Sequence, residues 1–342
     1  MFTLYVDGAR WRAHQQRVAA ARPGIVPVAK GNGYGFGVDR LALQATALGV
    51  DTMAVGTYSE VADTTLFTGS VLVLSPWRPA GEEAGSDARV VHTISRLADL
   101  EDLLERQDQP RVVLEHITSM RRHGMPTAQL HTALRRIDGA RLEGFALHLP
   151  LAGHGQLDET RHLMRVLADL HPPVQCVYVS HLDEQAMAAV ATEFPGFQVR
   201  PRIGTDLWLG DPGALAARAT VLDAHPVRRG DVFGYRGRHA PATGTILVVS
   251  GGTSHGIGLE SPNSGASWRD RAITVARGGL DAAGFVRSPY TVSGKRRMFA
   301  EPPHMQASML WLPQGARVPD VGEEVDVRVR LTATTFDRTV VT

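Results

Sequence analysis

Five short β-rich segments of this chain end in side chains that can move protons or hold anions: Lys30, Glu115, His148, Ser180 with His181, and Arg202. Lys30 is followed by GNGYGFG, small residues that let a ligand approach the backbone. An amine in that setting can be partly desolvated and brought against a carbonyl carbon, which suits a Schiff-base lysine. The same pattern also describes a surface lysine beside a flexible loop, and one segment leaves both readings open.

The elements that must position these groups alternate. Strand-like runs IVPVAK (25–30), TMAVG (52–56), SVLVLS (70–75), ARVVHTI (88–94), RVVLEH (111–116), LEGFALHL (142–149), VQCVYVS (174–180) and QVRPRIG (198–204) are separated by helix-like stretches. Among the latter, DRLALQATALG and DETRHLMRVLADLH carry apolar residues at three- and four-residue spacings, each with a leading Asp placed to serve as an N-cap. Such alternation marks parallel β/α units, and eight strands close a barrel whose chemistry sits at the strands' C-terminal ends. After about residue 225 the texture changes: ATGTILVVS, ITVARGG, SMLWLP and EEVDVRVRLTATTF are β-rich and linked by Gly and Pro. The expected fold is therefore α/β, an N-terminal (β/α)8 TIM barrel over 1–225 followed by a C-terminal all-β domain over 226–342. The opening TLYVDG can join either domain.

Composition narrows the functional classes. The 36 basic and 35 acidic residues nearly cancel and are interspersed, which gives a nucleic-acid partner no electrostatic support. No apolar run approaches the roughly 18 residues that cross a bilayer, and the N-terminus lacks a signal-peptide pattern, so the expected location is the cytoplasm with no membrane partner. The single cysteine, Cys176, lies in the apolar run VQCVYV and reads as a buried strand residue. One cysteine excludes intrachain disulfides and a cysteine-based metal cage; no metal is expected.

The segment VAKGNGYGFG resembles the cofactor-lysine motif of the alanine racemase family, Lys-x-Asn-x-Tyr-Gly-x-Gly after the first barrel strand. Lys30, Asn32, Tyr34, Gly35 and Gly37 are all in register. The resemblance implies a pyridoxal 5'-phosphate enzyme in which Lys30 holds the cofactor covalently and Tyr34 hydrogen-bonds its phosphate. TSMRRHG (118–124) resembles Thr-Gly-Met-Gly-Arg-x-Gly and places Arg122 at the cofactor's phenolic oxygen and the substrate carboxylate. EGFALHL (143–149) resembles the segment that presents a histidine beside the cofactor ring, here His148. PRIGTDLWLG (201–210) resembles Arg-x-Gly-Ile-x-x-Tyr-Gly, so Arg202 would face the pyridine nitrogen, with Ile203 and Gly204 also at the cofactor. A guanidinium gives up its proton with difficulty, so it leaves that nitrogen unprotonated and favours simple proton exchange at Cα over transamination. RRGDVFGYRGRH (228–239) resembles Gly-Glu-x-Val-x-Tyr-Gly, and Tyr235 falls where the family has its second catalytic base, contributed by the other subunit of a homodimer with shared sites. Two bases, Lys30 and Tyr235, would then interconvert L- and D-amino acids.

The resemblance departs from the family's pattern on the substrate side. Glu115 stands where family members often carry a carbamylated lysine, and its carboxylate can supply the same charge to orient Arg122. The family's Asn-Ser phosphate loop reads Ser180-His181-Leu182, placing Ser180 or His181 at the phosphate. SGGTSHGIGLE (250–260) and PPHMQ (302–306) replace two substrate-side motifs, and Phe336 replaces a phosphate-binding tyrosine. Thr253, Ser254, His255, His304 and Met305 are accordingly candidates for altered substrate recognition, and the amino acid need not be alanine. The alternatives are cleavage of another Cα bond, as in a decarboxylase or aldolase, and a non-catalytic pyridoxal-phosphate carrier.

Overall fold

The computed structural model describes residues 1–81, 87–151, 155–259 and 286–342. The chain divides into two compact units, Arg12–Asp211 on one hand and Met1–Trp11 with Pro212–Thr342 on the other. Ten strands carry the argument: β1 (Phe2–Val6), β2 (Val26–Pro27), β3 (Thr52–Val55), β4 (Ser70–Val73), β5 (Val90–Ile94), β6 (Arg111–His116), β7 (Arg141–His148), β8 (Cys176–Ser180), β9 (Gln198–Ile203) and β10 (Leu215–Val227).

In the first unit β2 to β9 form one eight-stranded sheet in which β3 to β9 pair in sequence order and β2 pairs with β9. The named pairings are parallel, and a bridge between Val28 and Ala54 joins the first strand to the second, closing the barrel. Strands enclosed on both faces read as largely apolar runs, as β3 (TMAV) and β4 (SVLV) do. Side chains of Val28, Ala54, Leu72, Val113, Ala146 and Tyr178 fill one of the unit's apolar clusters. A larger cluster packs helical residues such as Leu100, Leu130, Leu163 and Leu167 against the strands. Helix Gln156–Asp169 buries Thr160, Leu163, Met164 and Leu167, the three- and four-residue spacing legible in the sequence.

The expected Asp caps are displaced. Asp39 and Asp158 lie inside the first turns of helices Val38–Ala47 and Gln156–Asp169, whose caps are Gly37 and Gly155. There they complement the helix dipole instead of bonding a free amide. Asp183 is a true cap, accepting from the Ala186 amide at 2.7 Å.

The second unit contains an eight-stranded sheet. The segment that the sequence texture divides near 225 runs unbroken as β10, which pairs with β1, Gly244–Ser250 and Glu324–Val327. β1 lies antiparallel to β10 and parallel to Arg338–Val341, which places TLYVDG in this unit. Its core gathers Phe2, Val221, Leu247, Tyr290, Leu310 and Leu312. ATGTILVVS and SMLWLP become strands Gly244–Ser250 and Ala307–Pro313, whereas EEVDVRVRLTATTF contributes only Glu324–Val327 before a 3-10 turn. The run ITVARGG lies outside the described residues. Among the described residues no helix is long and apolar enough to cross a membrane.

Candidate active site

The backbone amide of Val28 donates to Ile203 and that of Ala29 to Ala54, both at 2.8 Å, so the first strand stays tied to its neighbours up to the residue before Lys30. Lys30 therefore stands at the C-terminal mouth of the barrel, with its side chain exposed. Its amine is held below the usual lysine value, first by partial desolvation among the mouth's side chains and then by the positive charges of Arg122 and Arg202, with Glu60 opposing. A less basic amine is a better nucleophile at neutral pH.

Glu60 was not singled out from the sequence. Its carboxylate accepts from the amides of Gly31 at 2.7 Å and Gly56 at 2.6 Å, and so fastens the loop after Lys30 to the end of β3. The available signal was an acidic residue four positions after a strand-end glycine, a common pattern that marks nothing by itself.

Tyr34 is buried and its backbone is left-handed, at φ 56°. Burial pushes its phenol up to about 12, against a hydrogen bond with Thr205. Gly204 lies directly beneath it: a Cβ there would collide with the Tyr34 hydroxyl. Tyr34, Gly204 and Ile203 at the end of β9 are thus brought into one neighbourhood.

Glu115 and Arg202 form the buried electrostatic centre, at 4% and 5% exposure. Burial raises the Glu115 carboxyl, while Arg202, Arg122 and Arg78 oppose that rise. Burial likewise lowers Arg202, and Glu115 holds it up. One guanidinium nitrogen of Arg202 donates to the Leu147 carbonyl at 3.1 Å, yet among the described residues its Nε and Oε2 of Glu115 have no hydrogen-bond partner. Arg122 sits on the return loop after β6, which Met125 ties back by donating to the Glu115 carbonyl at 2.8 Å. Glu159 steadies the same loop by accepting from the amide and hydroxyl of Ser119, each at 2.6 Å.

His148 ends β7, and its ring meets that of His181 edge-on with centroids 5.3 Å apart. His181 is anchored through Nδ1 to the Leu149 carbonyl at 2.7 Å, and Ser180 is buried beside it in sequence. Burial, then the charges of Arg202, His181, Arg122 and Lys30, drive His148 down to about 3. The imidazole is therefore neutral at pH 7. Because the folded value lies below the unfolded value of about 6.5, the unfolded chain binds the extra proton. Stability from this group is whole above about pH 6.5 and falls as the pH drops toward 3. The ¹⁵N shifts of His148 are expected to report a neutral ring down to pH 5; a protonated ring at pH 6 would contradict the described environment.

The predicted residues of the second unit form a separate group. Tyr235 and His304 line one concavity together with Met305, Thr253 and Glu301. His255 is buried: its Nε2 meets Asp337 at 3.0 Å, and the Gly252 amide donates to its Nδ1 at 3.2 Å. Ser254 donates through its hydroxyl to the Met305 carbonyl at 2.5 Å. These bonds fix His255 and Ser254 within the unit. Phe336 stacks on Phe2 at 5.0 Å within the same unit.

Comparison with known proteins places this arrangement. The alanine racemase N-terminal domain family matches residues 8–203. No curated protein matches the chain in sequence. The structure resembles alanine racemase from Bartonella henselae with covalently bound pyridoxal phosphate (16% identity, 99% of each chain covered, TM-score 0.72). It also resembles alanine racemase from E. faecalis (19% identity, 95% of this chain and 88% of that one, TM-score 0.67). A third likeness is to histidine racemase from Leuconostoc mesenteroides subsp. sake (16% identity, 99% of this chain and 90% of that one, TM-score 0.67). With that family matching more than half of its length, over an eight-stranded barrel with ionisable strand ends, the chain belongs to the alanine racemase family.

Proposed function

We propose that the chain is a pyridoxal-phosphate-dependent amino-acid racemase that works as a homodimer, with Lys30 of one subunit and Tyr235 of the other on opposite faces of the substrate Cα. The observation that carries this reading is the Lys30 amine, made less basic at the barrel mouth between Arg122 and Arg202. The surrounding residues fit the cofactor. Arg202 offers a buried Nε donor without an acceptor among the described residues, suited to a ring nitrogen. The bare backbone of Gly204 admits the Tyr34 hydroxyl, which would donate to the phosphate. Ser180 and His181 would join Tyr34 there, and Ile203 would line the ring.

When bound, pyridoxal phosphate supplies a conjugated ring that draws off the electron pair left at Cα. The chain's own residues do the rest. Lys30 would hold the cofactor and move a proton on one face of Cα, and Tyr235 would move one on the other. Arg122 binds the substrate carboxylate, and Glu115 balances Arg122 and Arg202, whose positive charges would otherwise repel each other in a low-dielectric setting. His148 remains a neutral hydrogen-bonding partner. Met305 and His304 lie on the substrate side of the β unit. An arginine in the Arg202 position favours proton exchange over cleavage of another Cα bond, since it leaves the ring a weaker electron sink.

The substrate is an α-amino acid, alanine or a related one; that a similar structure is titled a histidine racemase widens the candidates beyond alanine. Incubating the cofactor-loaded protein with each proteinogenic amino acid in deuterium oxide tests the reading. At least one is expected to gain a single Cα deuterium and lose optical purity with no other mass change. Release of carbon dioxide or an aldehyde, or no exchange with any amino acid, would overturn it.

A further inference from the structure

One polar cluster lies wholly within the β unit, and none of the steps above uses its buried member, Glu301. Glu301 is 2% exposed. Through Oε2 it accepts the Tyr235 amide proton at 3.1 Å, and through Oε1 it meets His304 Nε2 at 2.6 Å. The His304 ring lies against the Tyr235 ring, with centroids 4.5 Å apart and planes tilted by 47°. Tyr235 itself is 87% exposed, so its phenol is not held by burial in a core.

The backbone keeps this grouping in place. Pro302 and Pro303 fix two φ angles between Glu301 and His304. Gly234, at φ 71°, sits so close to the Glu301 carboxylate that a Cβ would collide with it. A carboxylate this deep is costly unless its oxygens are satisfied, and here the two oxygens serve the loop that carries the tyrosine and the ring that touches it. The other charged groups nearby are Arg236, which lines the same concavity, and Arg238, which donates to the Ala300 carbonyl at 3.0 Å.

We propose that Glu301 and His304 are positioning residues for Tyr235: the buried carboxylate fixes the loop and the imidazole together, and the imidazole selects one orientation of the exposed phenol. This rests on reading Tyr235 as a proton-transfer group. An unclamped tyrosine samples several rotamers, and a displacement of about 1 Å at a reacting group costs on the order of 100-fold in rate.

The test uses full-length protein labelled with 3-fluorotyrosine, first without added cofactor. The Tyr235 ¹⁹F resonance is assigned by its loss in Tyr235→Phe. It is expected to be displaced by the neighbouring imidazole ring, and to lose that displacement in His304→Leu. In racemisation assays His304→Leu is expected to lower kcat roughly 10- to 100-fold with KM nearly unchanged, and His304→Phe, which restores a flat ring, to recover part of the loss. A resonance unmoved by His304→Leu would overturn the proposal. If the resonance behaves as expected while no amino acid is racemised, the clamp stands and the racemase reading fails.

Discussion

Replacing Lys30 by alanine is expected to abolish covalent capture of pyridoxal phosphate and to lower racemisation by roughly 10⁴-fold or more, the upper end for a lost proton-transfer group. The loss is large because one amine serves both capture and proton movement, and no other lysine stands among the residues gathered at the mouth. The fold should tolerate the change. The Lys30 side chain is exposed and lies in the positive field of Arg122 and Arg202, so its removal relieves repulsion and should alter stability by no more than about 0.5 kcal/mol. Borohydride reduction of the loaded protein followed by peptide mass spectrometry checks capture directly. A cofactor label on residue 30 of the wild type, absent from an equally stable Lys30→Ala, is the expected pair of results. Labelling at another residue, or turnover that survives the substitution, would remove the basis of the functional reading.

Tyr235→Phe is expected to leave capture intact and to lower racemisation by about 10² to 10⁴-fold, the span for one general acid or base. Enantiomers are equal in free energy, so kcat/KM must fall equally in both directions. The distinguishing sign is isotopic. In deuterium oxide Lys30 should still exchange the Cα proton of the enantiomer that presents it to the amine, and that enantiomer should gain deuterium without inverting. Mixing the two variants adds a test of assembly. In a two-fold dimer with shared sites, random exchange of Lys30→Ala and Tyr235→Phe subunits restores about one quarter of the sites, because half of the dimers are mixed and each holds one intact pair. Inversion at the wild-type rate in Tyr235→Phe would remove the phenol from the mechanism, and a mixture as inactive as its components would remove the shared site.

The barrel was legible because its strands are rich in apolar and β-branched residues and its helices repeat at three and four residues, both local consequences of what each element buries. The positions of Lys30, Glu115, His148 and Arg202 at strand ends followed from the same pattern. Asp39 and Asp158 were misread as caps because a cap depends on one backbone dihedral, which side-chain type signals only weakly. The bond of His255 to Asp337 was out of the sequence's reach for a comparable reason: it joins residues 82 positions apart.

By itself the sequence determined the order of the elements, the strand-end lysine and the family motif around it, since these depend on residues adjacent in the chain. Tertiary structure alone decided which charges share a low-dielectric environment: the buried Glu115 beside Arg202, Glu60 fastening the loop after Lys30, and Glu301 linking the Tyr235 loop to His304. Electrostatic energy varies with distance and with exclusion of water. Tyr235 and Glu301 are 66 residues apart along the chain but one hydrogen bond apart in space, and only folding sets that second separation.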